Sequence, residues 1–210
     1  MFTEYLLYFM VYSFLGWLYE SLYYSLQFKK LINTGFLRGC FCPIYGLACV
    51  SNIFILGGAN SDAVVFLVSM LMISSIEYIV SWFFEKRFGK RWWDYSGLPF
   101  NINGRISLFS SLAFGIMSVV QLRVIHPVVV HLILCINPRA VKFLMMVSLF
   151  VLFVELVYSV YETKHSDSDR LWFVDEMSPV MQNATDKFNC KRHSISDKCA
   201  EIYANIRDWF

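Results

Sequence analysis

Three glutamates, Glu20, Glu77 and Glu155, lie inside otherwise uncharged apolar stretches, each nine positions ahead of a lysine: Lys29, Lys86 and Lys164. At about 1.5 Å per helical residue that spacing is roughly 13 Å, close to half the ~30 Å hydrocarbon thickness of a bilayer. All three carboxyls are therefore expected near the midplane. An ionised carboxylate at that depth costs on the order of 2.5–3.5 kcal/mol on the insertion scale. No lysine or arginine stands in the same stretches to neutralise it. The glutamates are thus expected to converge inside a helix bundle. There they would form a proton or cation site, or bond as packing glue to hydroxyls such as those of Ser13, Ser74 and Ser159.

A second set of candidates lies in two polar loops. The segment EKRFGKRWWDYSGLPFNINGRIS, from Glu85 to Ser107, carries more than a topology signal needs. Trp92, Trp93 and Tyr95 suit the aromatic belt of a membrane interface, and Lys86, Arg87, Lys90 and Arg91 suit anionic headgroups. Asp94, Asn101, Asn103, Gly104 and Arg105 are left over. Asn101 and Asn103 can close local side-chain turns, Gly104 can take positive φ and Pro99 fixes a bend, so the loop reads as a shaped segment aiming Arg105 at an anion. The first loop, GFLRGCFCPIYG from Gly35 to Gly46, has the same grammar, with glycines around Arg38 and Pro43 opening the next helix. Arg38 and Arg105 are expected on one anion-binding surface.

The elements that must position these residues are membrane helices. At 57% hydrophobic and 16% charged residues the chain is too apolar for an ordinary soluble domain. Apolar runs of spanning length cover Tyr5 to Gln27, Phe41 to Ala59, Ala63 to Phe84, Ile106 to Leu122 and Phe143 to Tyr161. The expected fold is all-α, a polytopic transmembrane bundle of about five spanning helices in a cell membrane. The shorter apolar piece Val124 to Ile136, with His126, Pro127 and His131, reads as a re-entrant or interfacial segment.

Basic residues set the orientation. Five spans place Lys29, Lys30, Arg38, Lys86, Arg87, Lys90, Arg91 and Arg105 on one side and Arg123, Arg139 and Lys142 on the other. The richer side is expected to be cytoplasmic, giving an external N-terminus and an internal C-terminus. The first, third and fifth helices, which carry the glutamates, then run in the same direction. Tyr5 to Gln27 follows Glu4 with no basic region, so it reads as a retained helix and not a cleaved signal.

The membrane core is expected over residues 1–163, with a polar cytoplasmic tail over 164–210. In that tail Cys199, Ile202, Tyr203 and Ile206 recur at helical spacing, the pattern of a short amphipathic helix. The six cysteines mostly fall in helices or on the reducing face, which argues against a disulfide framework. Cys190, His193 and Cys199 are too loosely spaced to read as a zinc site, and no metal or other cofactor is expected. The Asn183 to Thr185 glycosylation pattern would go unused on a cytoplasmic tail.

Offsetting the chain by 57 positions aligns Glu20 with Glu77, Lys29 with Lys86 and Lys30 with Arg87. Two parallel helix-loop-helix units would give this pattern, with Glu155 in a partial third. Shared membrane constraints would give it too.

The loops GFLRGCFCPIYG and EYIVSWFFEKRFGKRWWDYSGLPFNINGRIS, with the later Ile125-His126-Pro127, resemble the bacterial membrane family of ABC-transporter type IV permeases, the CmpB-like group. The resemblance covers most of the membrane core. This chain has Cys40 where the family pattern has a proline and Ser107 where it has a cysteine, and no catalytic or binding residue is carried over. The resemblance implies a permease subunit moving an unidentified substrate.

The chain has no Gly-x-x-x-x-Gly-Lys-Ser/Thr loop, so ATP hydrolysis by that route requires a separate ATPase subunit docked on the cytoplasmic loops. Five helices call for a homodimer or a partner permease to enclose a pathway. The lipid bilayer is a further partner, and no nucleic acid is expected. An alternative reading is a membrane-embedded enzyme acting on a lipid or lipid-linked phosphate. Arg38 and Arg105 would hold the phosphate, and Asp94 or Glu85 would serve as general base. No complete catalytic motif supports it.

Overall fold

The computed structural model describes residues 2–29, 31–89 and 91–165. The expectations for Lys164 and the tail lie outside the described side chains. Helix α1 (Phe2–Phe28) leads into a loop, then α2 (Pro43–Leu56), a short turn and α3 (Asp62–Phe88). A second loop carries the hairpin β1 (Asn101–Ile102) and β2 (Ile106–Ser107). Helix α4 (Leu108–Val120), a π-helical turn (Gln121–Ile125) and α5 (His126–Leu134) follow, and α6 (Pro138–His165) ends the described chain.

Among the described residues three helices are long and apolar enough to cross a membrane: Asp62–Phe88, Leu108–Leu134 and Pro138–Tyr161. The packing is inverted relative to a soluble protein. On α3 the buried positions are Val65, Ser69, Ser74, Glu77 and Ser81, and on α4 they are Ser111, Gly115 and Ser118, while leucines, valines and phenylalanines face outward. Lipid tails are as apolar as leucine, so small and polar residues turn inward, where they allow close approach and hydrogen bonds.

The boundaries differ from the sequence expectation in two places. Ile106 to Leu122 and Val124 to Ile136 do not form a span plus a re-entrant piece. They lie in one continuous helix of 27 residues, Leu108–Leu134. Pro127 offers no N–H to the carbonyl four residues back and its ring crowds that carbonyl. The wider π turn directly before it takes up the mismatch, with His126 N–H bonded to the carbonyl of Gln121.

The second difference is at α2. It has 14 residues, about 21 Å of helix, and does not match the full span expected over Phe41 to Ala59. The loop before it runs back along α1. Ser25 accepts from the Ile32 N–H at 2.9 Å, Ser21 and Thr34 hydroxyls meet at 3.0 Å, and Cys42 N–H reaches the Ser13 carbonyl at 2.9 Å. Residues 31–42 thus fold back beside α1. Close contacts then zip α2 onto the first half of α1: a Cβ at Gly46 would strike the Ser13 hydroxyl and the Phe9 carbonyl.

Both loops meet at one end of the bundle, where Phe36 packs against Phe84, Phe88 and Trp92. The opposite end is tied by Arg123, which donates to Asp62 at 2.8 Å and to the Ala59 carbonyl at 2.7 Å.

Candidate functional site

Glu20 and Glu77 belong to one polar cluster where the two loops meet the helices. Glu77 is buried on α3 and accepts from the Tyr95 hydroxyl at 3.1 Å. Glu20, half-buried on α1, faces the Cys42 thiol at 3.7 Å. Tyr45 at the start of α2 lies within electrostatic reach of Glu20, Cys42, Tyr24 and Tyr95, and Tyr95 within reach of both Glu77 and Glu20. Two carboxyls from different helices thus share one set of phenols and a thiol, all neutral donors. Burial first, then the charge of Glu77, pushes the Tyr95 phenol well above its ordinary value, so Tyr95 stays a donor across the physiological range.

Glu155 comes from α6 against the first loop. Its carboxyl fills the space over Gly39, where any Cβ would collide with it. Beside it the Arg38 guanidinium covers the ring of Tyr158, 5.1 Å from its centroid. Ser13, Ser74 and Ser159 are all buried, and Ser74 donates to Ser111 at 2.7 Å.

The second loop is held by its own residues. Asn101 donates to the carbonyls of Leu98 and Ser96 and accepts from Gly104 N–H at 3.0 Å. Asn103 and Gly104 take φ of 52° and 69°, the positive values that a tight hairpin turn demands and that asparagine and glycine adopt most readily. Asn103 donates to the Tyr78 hydroxyl at 2.9 Å, docking the hairpin on α3. Asp94 accepts from the backbone N–H and the hydroxyl of Ser96.

Arg105 lies 5.3 Å over the Tyr78 ring and donates to Glu85 at 2.6 Å, while Arg91 holds the other Glu85 oxygen at 2.9 Å. Glu85 is therefore bracketed by two guanidiniums. Its carboxylate fills the anion position expected in front of Arg105.

The family model described as Putative ABC-transporter type IV matches residues 7–160. The chain belongs to that family. The match runs from the first third of α1 to near the end of α6 and takes in all three glutamates, both polar loops and the π turn of this ABC-transporter type IV chain. No curated protein and no solved structure matches it. Its membership agrees with the resemblance carried by GFLRGCFCPIYG and the longer second loop.

Sequence reasoning placed Tyr95 in an interface belt and gave Cys42 no role, although both stand on the glutamates. It also passed over Asn52 and Gln121. These amides sit inside apolar runs and are almost fully buried, and Asn52 donates to Gln121 at 3.3 Å and to Ser118 at 2.9 Å. An amide within a hydrocarbon-length run is a visible signal, because it needs partners that lipid cannot supply.

Proposed function

We propose that this chain is the permease subunit of an ATP-driven transporter, with its pathway between α1, α2, α3 and α4 and the Glu20 and Glu77 cluster as its polar station. Five helices, α1, α2, α3, the joined α4–α5 and α6, cross the cell membrane, with the N-terminus outside and the C-terminus inside. α2 completes its crossing through the re-entrant loop before it. A separate ATPase docks on the loops at residues 29–42 and 89–107, and a second copy or a partner permease completes the assembly. Glu155, seated over Gly39, couples α6 to the first loop.

One observation carries this reading. Glu77 on α3 accepts from Tyr95, and Glu20 on α1 faces Cys42 within electrostatic reach of the same phenol, inside a chain whose outer surface is apolar. Placing charge-bearing groups inward at that depth is costly unless they serve a pathway or are fully bonded. One carboxyl oxygen of Glu77 is buried beside the bond that the other accepts from Tyr95.

The alternative of a lipid-phosphate enzyme needs Arg105 open to an anion. Arg105 is engaged by Glu85 and Tyr78, and the Asp94 carboxylate is engaged by Ser96. The permease reading is better supported. Purification of the tagged chain from native membranes tests it: an ATPase co-purifies if the reading holds. Its absence, with phosphate release from a lipid substrate, would favour the enzyme.

A further inference from the structure

The two halves of the core make the same contacts. Offset α1 onto α3 by 57 positions, and the following loop and helix by 69, and pairs coincide. Phe9 packs on Gly46 as Phe66 packs on Gly115. Ser21 bonds to Thr34 as Tyr78 bonds to Asn103. Ser69 donates to Asn52 at 2.9 Å, and its counterpart Tyr12 interacts with Gln121, the counterpart of Asn52. Gly35 and Gly104, also 69 apart, both take positive φ. Shared hydropathy does not reproduce a contact map. The halves are two copies of one unit of helix, re-entrant loop and helix, related by a pseudo-two-fold axis along the bundle. Equivalent residues can touch each other only at that axis, and Asn52 touches Gln121 there.

Buried polar groups line the axis. At one end His126 meets the Tyr12 hydroxyl at 3.2 Å, with Tyr8 edge-on to its ring. Next come Gln121 and Asn52, then Ser13, then Glu77 and Glu20, about 12 Å further along by the eight residues from Ser69 to Glu77. Gln121 Nε2, Ser13 Oγ and Glu77 Oε2 are buried without a hydrogen-bond partner, in side chains 5%, 0% and 7% exposed. Ordered water is the usual partner of buried polar atoms that the protein itself leaves open, since lipid offers nothing. The π turn aims both Gln121 and His126 at α1, and such turns recur at functional sites.

We propose that this axis is a proton route, with His126 as the outer exchanging group, the amide pair holding water in file, and Glu20 and Glu77 as the inner exchanging groups. The proposal rests on the permease reading and names the species that the site handles. Each transfer breaks one O–H or N–H bond and forms another. A glutamate that takes a proton from water on one side returns it to water on the other, with no net change in the protein. The groups facing the exchanging residues are Tyr8 and Tyr12 at His126, Cys42, Tyr24 and Tyr45 at Glu20, and Tyr95 at Glu77. The close approach of the helices at Gly46 and Gly115 suits water and a proton and not a bulky solute.

The test uses the full chain in phosphatidylcholine and phosphatidylglycerol vesicles loaded with a pH-sensitive dye, with a potassium diffusion potential set by valinomycin. Proton entry should exceed that of empty vesicles. Glu77→Gln and Gln121→Leu should each lower it by roughly tenfold or more, and lipid-facing Leu132→Ala should leave it unchanged. Glu77→Gln is close to isosteric and keeps the test valid if Gln121→Leu fails to fold. Flux no faster than in empty vesicles, or flux unaffected by Glu77→Gln, would overturn the route. An ATPase that still co-purifies in that case leaves the permease reading standing and removes only the proton route.

Discussion

Cys42 gives its backbone N–H to the carbonyl of Ser13, 29 positions earlier and halfway along α1. That bond carries the first loop down beside α1 and starts α2 inside the bundle instead of at its surface. The start of α2 thereby lies next to Glu20. A loop that only capped the bundle could not bring Cys42 and Tyr45 to a mid-helix glutamate.

The glutamates are separable from packing by substitution. Glu77→Gln retains an oxygen to accept from Tyr95, so its Tm should stay close to that of the parent while transport is lost. Tm and uptake measured on the same preparations check this. Full uptake in a Glu20→Gln, Glu77→Gln, Glu155→Gln triple variant would leave the carboxyls as packing groups only.

Gly39 and Glu155 should behave as a coupled pair. Gly39→Ala pushes a methyl into the Glu155 carboxyl and should destabilise the protein by about 1–3 kcal/mol, the usual cost of overpacking a tight contact. Adding Glu155→Ala removes the obstruction and should recover most of the loss. Unfolding curves of the two single variants and the double variant read the coupling directly.

Arg105→Lys keeps the charge but cannot both lie flat on Tyr78 and fork onto Glu85. A lower Tm and reduced transport are expected. Unchanged values for both would reduce Arg105 to a marker of topology.

Tyr95 predicts a pH dependence. Its phenol is held above the ordinary value of 10.0, so the folded state keeps a proton that the unfolded state loses first. This stability contribution is fully present below pH 10 and is lost as pH rises through the folded value. Alkaline unfolding should therefore be less steep in Tyr95→Phe than in the parent, as followed by circular dichroism.

The proposed five-crossing arrangement is tested by topology reporters. It predicts that reporters at Asp62 read outside and those at Gly89 and Phe210 inside. An external reporter signal at Phe210 would require a sixth crossing.

Sequence alone determined what depends on local chemistry. Hydropathy marked the apolar helices, and Asn103-Gly104 announced a turn that takes positive φ. The family was also legible, because its motifs are contiguous. Tertiary structure decided what depends on pairs distant in the chain: Cys42 beneath Ser13, Tyr95 on Glu77 and Asn52 against Gln121. It also decided that Val124 to Ile136 continues α4, because a π turn can carry a helix through Pro127 where a hydropathy window registers only a break. The physical reason is common to all of these. Transfer free energies add residue by residue along the chain, whereas a re-entrant loop is stabilised by backbone bonds whose partners exist only once α1 is folded beside it.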